Sequence, residues 1–144
     1  MIVLDVNLLL YSYDSLAPEH EKAASWLEEI FSGDELIGLP WITISAFLRI
    51  QTYPSQKGER FTVAQAIAIV EEWLELPNVR ILNPAESHWK QFRRLLLDGE
   101  ARGKLVPDAQ LAAVTMEYGG ILYTNDRDFA RFPSLRWINP LASS

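Results

Sequence analysis

The chain opens on an apolar run that ends in a charge. Ile2-Val3-Leu4 is followed at once by Asp5, with Asn7 two residues further on. A short, unbroken run of aliphatic residues suits a strand covered on both faces, the condition of a parallel sheet. In open α/β sheets, ligands bind beyond the carboxyl ends of the strands. Asp5 therefore stands where a site is expected, and a charge directly after a buried run needs a partner. What the rest of the chain must supply is the set of groups that meet Asp5 there.

Helical patterns and short apolar runs alternate from that point. Residues 8–13 read as a short helix or turn, and Pro18 and Glu19 open a helix to about Phe31, with Ala23, Trp26, Leu27 and Ile30 on one face. Leu36 to Leu39 is a second strand stopped by Pro40, and Thr43 to Thr52 is a helix with Ile44, Phe47, Leu48 and Gln51 along one side. Residues 53–61 read as a loop. Thr62 and Gln65 make a capping box for a helix to about Leu76, with Ala66, Ile67, Val70, Trp73 and Leu74 inward. Val79 to Leu82 is a third strand, and Asn83-Pro84 starts a helix with Trp89, Phe92, Leu95 and Leu96 inward that ends near Gly99. A basic connection, Glu100 to Lys104, leads to Pro107-Asp108 and a helix with a small-residue face of Ala109, Ala112, Ala113 and Met116. Gly119-Gly120 closes it. Ile121 to Tyr123 is a fourth strand, residues 128–132 a short helix, and Leu135 to Ile138 a last strand at an edge. This alternation predicts an α/β protein: a three-layer α/β/α domain over residues 1–144 with a mostly parallel central sheet of four to five strands.

Composition narrows the chemistry. With no cysteine among 144 residues there is neither a disulfide framework nor a thiolate nucleophile. No segment approaches the ~18 consecutive apolar residues of a membrane helix, and the start lacks the basic region of a signal peptide. A cytoplasmic protein without membrane association is the expectation. The formal net charge of −6 argues against gripping nucleic acid by bulk electrostatics. It leaves room for a nuclease, because clustered acids add negative charge that bound cations neutralise.

Three acids share a position type: Asp5 follows the first strand, Asp126 follows the fourth, and Asp108 opens the helix leading into the fourth. If those strands are neighbours, the three carboxylates converge. Carboxylate oxygens suit hard cations such as Mg²⁺ and Mn²⁺, and ions so held activate water against a phosphodiester. Asp128 is placed to ligate directly or through water, and Asn7 to hydrogen-bond Asp5 or a metal-bound water. Each acid also has a structural reading, Asp108 as a first-turn carboxylate against the helix dipole and Asp126 and Asp128 as turn residues. Arg102 and Lys104 precede Asp108, while Arg127 and Arg131 flank Asp126 and Asp128; such residues can hold RNA phosphates. His20 and His88, near helix starts, read as surface or capping residues, and the five tryptophans as core or dimer contacts.

The chain resembles the PIN-domain ribonucleases, and within them the VapC-type toxins of bacterial toxin–antitoxin pairs. The resemblance covers nearly the full length and is carried by residues 2–7, by Leu39-Pro40-Trp41 through Ala46-Phe47-Leu48-Arg49, by Val106 to Ala113 and by Thr124 to Phe129. It implies Mg²⁺- or Mn²⁺-dependent cleavage of RNA, homodimerisation, and inhibition by a small cognate antitoxin. It assigns the metal to Asp5, Asp108 and Asp126, makes Asp128 a further catalytic acid, and puts Thr124 and Arg49 beside the site. One position departs from the pattern: the glutamate usual three residues before the arginine is Ala46 here. The site is one acid short unless Asp128 compensates, which favours one well-held ion over two. It also keeps a catalytically weak RNA- or partner-binding module as an alternative. A phosphoryl-accepting switch would need an acceptor aspartate after a central strand, and Leu82-Asn83-Pro84 offers none.

Overall fold

The computed structural model describes residues 1–54 and 60–142. Residues 55–59, which fall within the expected loop at 53–61, lie outside the described residues. Among those described, five strands form one sheet: β1 (Ile2–Leu4), β2 (Ile37–Pro40), β3 (Val79–Leu82), β4 (Ile121–Tyr123) and β5 (Trp137–Ile138). Their order is β3-β2-β1-β4-β5, and every pairing is parallel. The helices are α1 (Val6–Ser12), α2 (His20–Phe31), α3 (Trp41–Gln51), α4 (Val63–Glu75), α5 (His88–Asp98) and α6 (Val106–Glu117). Short 3₁₀ turns occupy Gly103–Leu105 and Arg127–Arg131.

The chain builds outward from β1 in one direction through β2 and β3, then returns to lay β4 and β5 on its other side. The reversal falls between β1 and β4, and a crevice at the carboxyl ends of the strands opens at such a point. Alternation along the strands divides the core in two. Val3, Leu82 and Leu122 face Leu95 of α5 and Ala109, Ala112 and Ala113 of α6. Ile2, Leu4, Ile37 and Leu39 face Leu9, Leu27, Phe47 and Trp73 from α1 to α4. Helix α6 is buried almost all round, from Ala109 and then Leu111 through Thr115, so its small residues let it lie close to the sheet. The capping box of Thr62 and Gln65 is formed, with Gln65 N donating to Thr62 Oγ1 at 3.1 Å and Thr62 N donating to Gln65 Oε1 at 2.9 Å.

Several expectations need correcting. Pro40 is the last residue of β2, paired in register with Leu82, and α3 starts directly after it at Trp41. Helix α1 begins at Val6, because Asp5 caps it. Helix α5 begins at His88 and not at Asn83-Pro84. Asn83 is held instead by Trp41 Nε1, which donates to its Oδ1 at 2.8 Å, and by Tyr118 Oη, which donates to its carbonyl at 2.8 Å. Ile67 and Trp89, expected inward, are 44% and 64% exposed. Each lies one position off its helix's buried stripe, Ala66-Val70-Trp73 in α4 and Phe92-Leu95-Leu96 in α5. His88 is not a surface residue: its Nδ1 donates to Glu117 Oε2 at 2.6 Å, tying the start of α5 to the end of α6. His20 is partly buried, its Nδ1 donating to the Tyr11 carbonyl at 2.8 Å.

Candidate metal centre

Adjacency of β1 and β4 brings the ends of the two strands together. Asp5 N donates to the Tyr123 carbonyl at 3.1 Å, carrying the ladder one residue past the strand. The Asp5 carboxylate is then engaged through both oxygens. Oδ1 accepts the Val6 N–H at 2.7 Å, and Oδ2 accepts the hydroxyl of the fully buried Thr124 at 2.7 Å. Thr124 Oγ1 in turn accepts from Asn7 Nδ2 at 3.2 Å and from the Asp126 N–H at 3.0 Å. One hydroxyl thus fixes Asp5, Asn7 and the backbone of Asp126 relative to one another.

The remaining acids stand on helical starts. Asp126 caps the 3₁₀ turn at Arg127–Arg131, its Oδ1 accepting the Asp128 N–H at 2.9 Å. That bond folds the Asp-Arg-Asp segment so that both carboxylates lie on one side of the turn. Asp108, two residues after Val106 opens α6, is in the first turn, where backbone N–H groups favour negative charge. Asp108, Asp126 and Asp128 each present an oxygen within 4.8 Å of the other two. Asp108 and Asp126 are half-buried and Asp128 is exposed, so the group is open to solvent on one side.

The closeness of the acids has an electrostatic cost. Burial pushes the Asp108 carboxyl up to about 7, and the charges of Asp5, Asp126 and Asp128 add to the rise, with Arg131 opposing it. Asp5 is also raised, by burial first and in smaller part by Asp126, against the two hydrogen bonds that favour its ionised form. Such mutual repulsion is what a divalent cation relieves, and a donor set made wholly of carboxylate oxygens selects a hard one. The residues fit the ion. The tightest trio is Asp108, Asp126 and Asp128, with Asp5 beside it and held by its own partners. Asp128, expected as a further catalytic acid beside the metal set of Asp5, Asp108 and Asp126, is the third member of this carboxylate group.

The basic residues separate into two kinds. Arg131 is half-buried, donating from Nη1 to the Gly99 carbonyl at 2.8 Å, so it ties the end of α5 to the site. Gly99 has no Cβ because the Phe132 ring lies where one would stand, 2.6 Å away. Arg102, Lys104 and Arg127 are exposed. Arg49, in the last turn of α3, is exposed and has no hydrogen-bond or ion-pair partner among the described residues. Ala46 is half-buried in the same helix.

Residues 2–135 match the family described as PIN domain. Over 141 residues the chain is 38% identical to Ribonuclease VapC33 of Mycobacterium tuberculosis, covering 98% of this chain and 99% of that one. It is 32% identical to Ribonuclease VapC37 of the same organism, covering 99% of each. Among solved structures, VapBC2 from Rickettsia felis bound to a promoter DNA fragment superposes with a TM-score of 0.71 at 19% identity, over 96% of this chain and 98% of that one. At that identity the likeness speaks for the fold. Among the described residues no helix is long and apolar enough to cross a membrane.

Proposed function

The chain belongs to the PIN-domain family, and from that premise we propose that it is an endoribonuclease toxin, dependent on Mg²⁺ or Mn²⁺ and neutralised by a cognate antitoxin. One observation carries the reading: Asp108, Asp126 and Asp128 bring an oxygen each to within 4.8 Å, at the point of the sheet where a ligand crevice opens. When bound, a divalent cation supplies Lewis acidity to a phosphodiester and lowers the pKa of water near it. Asp108, Asp126 and Asp128 would hold it, with Asp5 alongside. Asp5 is aimed by Thr124 and the Val6 N–H, and Asn7 steadies Thr124 in turn. Arg102, Lys104 and Arg127 orient the RNA backbone by its phosphates, whereas Arg131 steadies Asp108. We assign Arg49 to a supporting position near the site.

Asp128 stands as the fourth acid where Ala46 offers none, and the trio it completes with Asp108 and Asp126 supports a held ion. Relatives named as ribonucleases and the VapBC assemblies among structural neighbours support RNA as substrate and a small protein inhibitor as partner. The same reading makes residues 1–144 one domain that works as a homodimer in the cytoplasm, where RNA and antitoxin meet it. The test is cleavage of single-stranded RNA by antitoxin-free protein. Activity is expected with Mg²⁺ or Mn²⁺, none with EDTA, and none in Asp108→Asn. A folded preparation that cuts no RNA with either metal overturns the proposal.

A further inference from the structure

We propose that single-stranded RNA reaches the metal centre along the outer face of α5, through a basic and aromatic stripe formed by Trp89, Lys90, Arg93 and Arg94. This inference rests on the ribonuclease reading and names the surface that delivers its substrate. The side of α5 that packs on α6 is made by His88, Phe92, Leu95 and Leu96. Trp89, Lys90, Arg93, Arg94 and Leu97 recur at helical spacing on the opposite side, and all five are exposed. No ion pair engages Lys90, Arg93 or Arg94 among the described residues. Trp89 stands 64% exposed with its ring edge-on to Phe92 at 6.0 Å, a rigid aromatic face offered to solvent.

Charge makes the stripe conspicuous. The chain carries −6 overall, yet its residues 87–104 hold five cations (Lys90, Arg93, Arg94, Arg102 and Lys104) against two acids, Asp98 and Glu100. Continuity with the site is structural. Helix α5 ends at Gly99, whose carbonyl accepts from the same Arg131 that stabilises ionised Asp108. Arg102 and Lys104 then occupy the turn leading into α6, and Asp108 follows on its first turn. From Lys90 to Gly99 the helix rises about 14 Å, a span of a few nucleotides. Cations that track the backbone and an aromatic on which a base stacks are the two components of sequence-tolerant single-strand binding. Backbone tracking and stacking are sequence-tolerant, so the stripe sets affinity and polarity of approach.

The test uses full-length protein and a fluorescent single-stranded homopolymer RNA of about 16 nucleotides, titrated in EDTA across a salt series, with folding checked by circular dichroism. Replacing Lys90, Arg93 and Arg94 together by Glu is expected to weaken binding at least tenfold at low salt. The same variant should flatten the log–log salt dependence by about two, because three phosphate contacts each contribute roughly 0.7 on single strands. Trp89→Ala should weaken binding about tenfold and leave that slope unchanged. If the triple variant does not fold, Lys90→Gln, Arg93→Gln and Arg94→Gln must each lower the slope by about 0.7. Affinities within twofold of wild type with an unchanged slope overturn the proposal. So does a triple variant whose only change is a smaller mass by light scattering, since the face would then join protein copies. Wild type that binds through the stripe but cleaves nothing with Mg²⁺ or Mn²⁺ sinks the ribonuclease reading and leaves this one standing.

Discussion

The two helical layers of this molecule are built to similar packing rules and expose unlike faces to solvent. On one side of the sheet, the exposed faces of α2 and α4 hold Glu21, Glu28, Glu29, Glu71, Glu72 and Glu75 against Lys22. On the other, the exposed residues of α5 include Lys90, Arg93 and Arg94 against Asp98. Residues 1–86 have five cations and thirteen acids, whereas residues 87–144 have eight cations and six acids. A net charge of −6 is thus the sum of −8 in the first part and +2 in the second. Of the six acids in the second part, three are Asp108, Asp126 and Asp128. The lesson is that bulk charge is a poor guide to a polyanion partner when sign is segregated by layer, because screening confines each surface's field to about 10 Å or less at physiological salt.

The comparison breaks most sharply at the acids themselves. Asp108→Asn or Asp126→Asn should lower RNA cleavage about 100-fold or more, matching the several kcal/mol a bound cation gives a transition state. Glu28→Gln or Glu72→Gln in the acidic layer should leave initial rates within about twofold, as exposed charges do when far from the chemistry. Equal losses in both sets would mean that the layers do not differ in role. Next in size is Thr124→Val, which removes the hydroxyl joining Asp5, Asn7 and Asp126. A drop of about 10- to 100-fold in Mg²⁺ affinity is expected, read by calorimetry.

A pH series sharpens the contrast without altering a residue. Folding moves Asp108 from 3.8 up to about 7, so in that window the folded chain keeps a proton that the unfolded chain has released. In EDTA, the contribution of Asp108 to stability therefore falls as pH climbs from about 4 to about 7. Thermal unfolding of wild type minus Asp108→Asn should trace that fall. Mg²⁺ affinity should rise over pH 6 to 8 as the carboxyl ionises. A pH-independent difference between the two proteins would remove Asp108 from the cluster.

The smallest effect concerns the end of α5. Glu100 has φ of 46°, and the Ala101 N–H donates back to the Leu96 carbonyl at 3.0 Å, the closure that glycine usually makes. Glu100→Gly is expected to stabilise the protein by about 1 kcal/mol, seen as a higher midpoint in urea. The native glycine one residue earlier serves another purpose, clearance for Phe132.

Much of the candidate site is legible in residue order. Asp5, Asp108 and Asp126 each end or begin a regular element, and the parallel alternation of strands and helices puts such ends on one edge of a sheet. Less legible was the rank of the acids. Asp5 is taken up by Thr124 and the Val6 N–H, while the exposed Asp128 joins the trio. Periodicity placed Trp89 and Ile67 inward because amphipathic spacing resolves a face to no better than one residue, or 100° of helix. His88 and Glu117, far apart in the chain, gave no local sign of pairing.

Local sequence determined the elements, their caps and the position of carboxylates at their ends, because propensity, capping and turn chemistry act over a few residues. The strand order was decided only in three dimensions. Setting β1 against β4, and not against a nearer strand alone, depends on burying both faces of the sheet at once, and that choice is what gathers the acids and turns the basic side of α5 outward.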